Sequence, residues 1–145
     1  MTSLRVLTES DFDAVWTIFK SVFEHKYITE FHVAWTSRNS DLSFGFFDEQ
    51  RVLRGFLLTK TIQTNHQQIE FIGVSPWIQK GGIGTYLLRR VLDESKIHRH
   101  IVSLIPVNDD KIISWYKKHG FSNWGEPRVS PYTGEWEQVM VNKIE

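Results

Sequence analysis

The most constraining stretch of the chain is Gly81-Gly82-Ile83-Gly84, which stands between an apolar run ending at Val74-Ser75-Pro76 and an amphipathic helix pattern, Leu87, Leu88, Val91 and Leu92. Three glycines at a strand-to-helix joint let backbone come close to a ligand, where a Cβ would block it. The helix after them offers unpaired amide donors and the positive end of its dipole, a combination that binds phosphate with little help from side chains. Gln79 and Lys80, just upstream, add possible donors. A glycine-rich turn with no ligand is the plain alternative. Two other phosphate loops fail on spacing: the dinucleotide fingerprint needs a third glycine where Leu87 stands, and a P-loop needs a Gly-Lys pair, which the chain lacks.

Around this joint the periodicities predict an α+β fold with a mixed sheet in one domain spanning residues 1–145. Leu4 to Leu7 reads as a strand. Thr8 caps a helix with Asp11 three positions on, and Phe12, Val15, Trp16, Phe19, Val22 and Phe23 form its apolar face. A second helix is expected over 29–36. Strands are expected over 42–47 and 52–61, with a hairpin turn at Asp48-Glu49-Gln50-Arg51 between them, and a third over 67–75. After the glycine helix come a buried strand over 101–107, a helix over 109–118 stopped by Gly120, and strands over 121–124 and 136–144. Pro127, Pro131 and Gly134 mark a loop between these last two.

Composition closes off several functions. Seventeen basic residues balance seventeen acidic ones, so no general field draws the chain to nucleic acid or to an anionic membrane. Neither a membrane-length apolar run nor a leader-like N-terminal stretch is present, and a cytoplasmic location is the default expectation. Cysteine is absent, which excludes disulfides, thiolate metal sites and a cysteine nucleophile. No His-Glu-x-x-His or other metal set occurs, and His98 and His100 read as part of a solvated turn. Ser114-x-x-Lys117 matches one element of the penicillin-recognising enzymes, but its companion motifs are missing. Trp124 and Trp136 read as core or dimer contacts rather than a ligand cage.

Gln79, Gly82 and Gly84 fill the Gln/Arg-x-x-Gly-x-Gly/Ala signature of the Gcn5-related N-acetyltransferase (GNAT) superfamily, which the chain resembles over almost its whole length in its order of elements. Tyr116-Lys117-Lys118-His119-Gly120-Phe121 is similar to that family's second motif. The family's usual asparagine, seven residues before the tyrosine, is replaced by Asp109, with Asn108 one place early, and its small residue four before is Ile112. Glu70 lies four residues before Val74, the offset at which the spermidine/spermine acetyltransferases carry a catalytic glutamate. On a regular strand that even separation puts both side chains on one face.

The resemblance implies a fold in which acetyl-CoA is the co-substrate. Backbone at Ile72, Gly73 and Val74 would pair with its pantetheine arm in a gap beside the strand. Gln79, Lys80, Gly81, Gly82, Ile83, Gly84 and Thr85 would hold the pyrophosphate, with Asn108 or Asp109 nearby. An acceptor ammonium, ordinarily of pKa ~10.4, must lose a proton before attacking. Glu70 is the expected base, directly or through water, provided that burial raises it. Tyr116 is the expected acid towards the departing sulfur. The alternatives are a cross-strand ion pair for Glu70 and a core position for Tyr116.

The acceptor is expected to be a small polyamine or diamine. Glu24 and Glu30 are candidates for holding its further ammonium groups, and Glu126, Glu135 and Glu137 are additional ones, against ordinary surface charge. A peptide lysine is the alternative acceptor, a coenzyme A-binding module without chemistry the alternative class, and a homodimer the expected assembly.

Overall fold

The structure is a computed structural model that describes residues 2–63, 66–76, 82–95 and 100–143. It opens with strand β1 (Ser3–Val6) and a 3-10 turn, Glu9–Asp11, that leads into helix α1 (Phe12–Val22). Asp11 fixes this corner. Its carboxylate accepts from Arg5 at 2.9 and 3.1 Å and from the Thr8 amide at 2.8 Å. A second 3-10 turn, His25–Tyr27, precedes α2 (Ile28–Thr36). Strands β2 (Phe44–Phe47), β3 (Leu53–Gln63) and β4 (His66–Val74) come next, then α3 (Ile83–Glu94), β5 (His100–Pro106), α4 (Asp110–Lys118), β6 (Ser122–Asn123), β7 (Arg128–Val129) and β8 (Trp136–Lys143).

All eight strands share one sheet in the order β1-β2-β3-β4-β5-β8-β6, with β7 also on β8. Every pairing is antiparallel except β4–β5, whose parallel connection needs a crossover that α3 supplies. One face of the sheet carries α1 and α2. There Phe19, Phe31, Phe56, Leu58 and Phe71 pack into a core rich in aromatic pairs, Phe19 and Phe31 with centroids 4.2 Å apart. The other face carries α3 and α4, and buries Leu57, Ile69, Leu87, Leu88, Val91, Tyr116 and Met140. Each such fully buried apolar side chain contributes roughly 1.5–3 kcal/mol.

Two irregularities interrupt the middle of the sheet. The β4–β5 ladder pairs only His66↔His100 through Ile69↔Ser103, although β4 runs on to Val74 and β5 to Pro106. The sheet therefore splits above Ile69. Second, β3 and β4 slip register between Leu58↔Phe71 and Thr59↔Ile69, leaving Glu70 as an extra residue, a β-bulge. Ile69 packs with the α3 side and Phe71, two residues on, with the α1 side, so alternation breaks between them.

The element expectations hold with shifted ends, and three details are corrected. Helix α4 starts at Asp110 because Asp109 is its cap, accepting from the Ile112 amide at 3.2 Å. The strand expected over 121–124 shrinks to Ser122–Asn123. The proline-marked loop contains β7, since a tight turn (Gly134 amide to Ser130 carbonyl, 3.0 Å) folds it onto β8. Trp124 and Trp136 are 49% and 57% exposed, so neither is a core residue. Ile144, at the end of the last expected strand, lies outside the described residues. Among the described residues no helix is long and apolar enough to cross a membrane.

Candidate active site

A cavity of about 350 Å³ opens where the sheet splits. Its walls come from both helical layers: Val22, Phe23, Glu24, Tyr27 and Glu30 on one side, and Asp109, Ile112 and Tyr116 on the other. Between them lie Ile69, Glu70, Phe71 and Ile72 of β4, Ile105 and Pro106 of β5, and Glu137 of β8. A cavity lined from both layers passes through the sheet. Two molecules entering from opposite faces would meet in it.

The bulge aims Glu70 into this passage. Even spacing predicted that Glu70 and Val74 share a face; the extra residue overturns this. Val74 packs with the α3 side, whereas Glu70 accepts a hydrogen bond from Gln68 and sits within electrostatic range of Lys60 and of Glu30 on α2. Burial pushes the Glu70 carboxyl above the ordinary carboxylate range, and the Gln68 hydrogen bond and Lys60 oppose that rise. Glu70 is thus no cross-strand ion-pair partner held at low pKa.

Tyr116 reaches the same passage from the other face. It is 2% exposed and packed edge-on against Trp115 and Phe121, with centroids 5.0 and 5.1 Å away. The residues after it explain the motif. Gly120, at φ +89°, ends α4 in a left-handed conformation, and the Phe121 amide returns to the Tyr116 carbonyl at 3.1 Å, folding the Phe121 ring onto the tyrosine. Asn142 secures the turn by donating to the His119 carbonyl at 3.0 Å.

At the start of α3, Gly82 has φ +75°, and a Cβ there would meet nothing within 4 Å. The glycine thus serves backbone conformation and open space rather than packing. Among the described residues no side chain caps this helix end. Gly84 lets the first turn sit beside Trp115 (3.6 Å from an added Cβ) and Val74 (3.9 Å), and Ile83 anchors it by packing over Gly55. Thr85 is on the same turn and is half-buried. Gln79, Lys80 and Gly81 lie outside the described residues, as does His98. Ile72 on the split edge lines the cavity together with Tyr116, and Gly84 at the start of α3 lies beside Val74 of that same strand.

The acidic candidates separate by surroundings. Glu30 is pushed up to about 7, first by burial and then by the charges of Glu137, Glu70 and Glu135. Glu137 is also raised, chiefly by burial, with Arg128 opposing. Its place follows from parity: Met140 packs on the α3 side, so Glu137, an odd number of residues earlier, faces α1 and α2. Glu135 is different. It accepts from the Tyr27 hydroxyl at 2.6 Å and from Lys26 at 3.0 Å, and these partners hold it below the ordinary range. Glu24 stays at the rim, 3.4 Å from Lys26, while Glu126 and Asn108 are exposed and do not line the cavity. Sequence reasoning passed over Tyr27 entirely and named Glu137 only as an additional candidate beside Glu126 and Glu135.

The family model described as the Acetyltransferase (GNAT) family matches residues 10–121. Solved structures give the same fold. The ribosomal-protein-S18-alanine N-acetyltransferase from Escherichia coli superposes with a TM-score of 0.80 at 18% identity, covering 100% of this chain and 95% of that one. Ard1 from Thermoplasma volcanium gives 0.80 at 16% identity, with 99% and 98% coverage. A chimera of the spermidine N-acetyltransferase SpeG from Vibrio cholerae gives 0.76 at 20% identity, with 98% and 95% coverage. The match over most of the sequence, on a sheet that splits beside a glycine-started helix, places the chain in the GNAT family as an acetyl-CoA-dependent N-acetyltransferase.

Proposed function

We propose that the protein acetylates a primary amine of a small diamine or polyamine, with Glu70 as general base and Tyr116 as general acid. The observation that supports this most is that both residues line one passage through the sheet, on walls that also carry Glu30 and Glu137. A cationic acceptor would enter from the acidic α1–α2 side. Gly82 to Thr85 and the edge at Ile72 to Val74 would hold the coenzyme from the other face, and Gln79, Lys80, Gly81 and Asp109 are proposed to join them. Asn108, exposed and off the cavity wall, is the weakest of the coenzyme candidates.

The coenzyme supplies a thioester whose carbonyl carbon the amine nitrogen attacks, breaking the carbon–sulfur bond. Glu70 first takes a proton from the acceptor ammonium. Its raised affinity for protons suits it to this near neutral pH, where an unperturbed carboxylate would be a poor base. Tyr116 donates its hydroxyl proton on the sulfur side. A homodimer belongs to the same proposal.

Free-thiol release over a panel of amines tests the acceptor. Turnover is expected with spermidine, spermine, putrescine or cadaverine; acetylation of lysine peptides alone would reject it. With an active amine, Glu70→Gln should lower kcat by about 10²-fold at pH 7, with partial recovery at high pH as free amine accumulates.

A further inference from the structure

We infer that Glu137 makes the enzyme selective for acceptors carrying a second positive charge, by pairing with the ammonium that does not react. The inference rests on the diamine or polyamine acceptor and adds the residue that enforces it. Glu137 is 8% exposed, lines the cavity, and makes no side-chain hydrogen bond or ion pair among the described residues. Glu30 on α2 also lines the cavity without a hydrogen bond or ion pair among the described residues, whereas the remaining carboxylates in and beside the cleft are engaged: Glu135 by Tyr27 and Lys26, Glu70 by Gln68, Asp109 by the Ile112 amide, and Glu24 by Lys26. Arg128 on β7 acts on Glu137 only through its field, and Lys60 acts on Glu70.

A buried carboxylate without a partner costs several kcal/mol unless something pairs with it. Here the like charges of Glu70, Glu135 and Glu30 act in the same space. A monoamine cannot resolve this. Its nitrogen must become neutral to attack, giving its proton to Glu70, and Glu137 then remains unpaired. A second ammonium, still charged throughout the reaction, is the group that satisfies it. The position is also rigid, because β8 is paired at Glu137 with Pro106 on one edge and Arg128 on the other. A charge held on a doubly paired strand is pre-organised for binding.

The test is the isosteric variant Glu137→Gln, assayed by thiol release with 1,4-diaminobutane and with butylamine, alongside Glu94→Gln as a carboxylate paired with Arg90 away from the cavity wall. In Glu137→Gln the KM for the diamine is expected to rise about tenfold, equivalent to about 1.4 kcal/mol. Its kcat should stay within about twofold, and the diamine-to-monoamine ratio of kcat/KM should fall accordingly. Glu94→Gln should leave that ratio unchanged. Thermal melting of Glu137→Gln should match or exceed that of the native protein, since the variant removes an unpaired buried charge. Turnover with an unchanged KM and ratio overturns the inference while the acceptor reading stands. If the native enzyme turns over no small amine, the acceptor reading fails, and this inference with it.

Discussion

Glu30 is where the cost of the acidic passage can be read most directly. Its carboxyl, ordinarily near 4.5, is raised to about 7 by burial and by Glu137, Glu70 and Glu135. Between those two values the folded chain keeps a proton that the unfolded chain has lost. The proton thus stabilises the fold fully below about 4.5, and the contribution disappears as pH rises through about 7. Glu70 and Glu137 act in the same direction, while Asp11, Asp48 and Glu135, all lowered, favour the fold at higher pH. A bare pH profile mixes these contributions, so the useful quantity is a difference. Glu30→Gln, which mimics the protonated state, should melt close to the native protein at pH 5 and about 3 °C above it at pH 8. A difference in Tm that stays constant across this range would show that Glu30 carries no such charge penalty. The KM for a cationic acceptor should fall over the same interval, as the site gains negative charge.

Among the elements, the β7–β8 hairpin was the least legible in the sequence and carries an unexplained apolar surface. Val129, Tyr132 and Trp136 are exposed there, and Trp124 beside β6 is exposed as well. Apolar side chains grouped at a sheet edge mark an association surface more often than a solvated one. If two copies meet there, light scattering at micromolar concentration gives twice the chain mass, and Trp136→Asp restores a monomer; a monomeric native protein removes the idea. The reasons for the sequence's successes and failures lie in the same details. Helices α1 and α3 were legible because their apolar spacing is unambiguous, although α1 turns on Ile18 as well, which the chosen face left out. The stop of α4 at Gly120 was legible because a left-handed helix end favours a glycine, whereas Tyr116 stood out only through the motif it shares with the family. The bulge at Glu70 was not. One extra residue leaves no mark on composition, and its effect appears only against β3. The short β7 was hidden because Pro131 and Gly134 signal a turn without saying that it closes a hairpin.

At the scale of the molecule, the chain forms two halves joined below the active site and clasped above it. The first half, β1 to β4 with α1 to α3, meets the second through the four paired positions from His66↔His100 to Ile69↔Ser103 and through the core shared by α3, α4, β5 and β8. Beyond these pairs the halves part around the cavity, and on its acidic side a polar clasp rejoins them. The Tyr27 hydroxyl and the Lys26 ammonium both donate to Glu135, and Thr133 adds a bond at 3.2 Å. Burial and the Glu135 charge raise the Tyr27 hydroxyl, so it remains a donor throughout the working pH range. Because the clasp joins residues 108 positions apart beside the cavity that Tyr27 lines, it fixes the width of the cavity on that side. Tyr27→Phe removes the donor and keeps the ring. After allowance for solvent at the exposed rim, the loss should be about 1 kcal/mol, or about 3 °C in Tm. If the acceptor enters on this side, as proposed, steady-state kinetics should show a larger effect on the acceptor KM than on that of the coenzyme. Equal changes in both constants would mean that the clasp supports the whole passage rather than its acidic entrance.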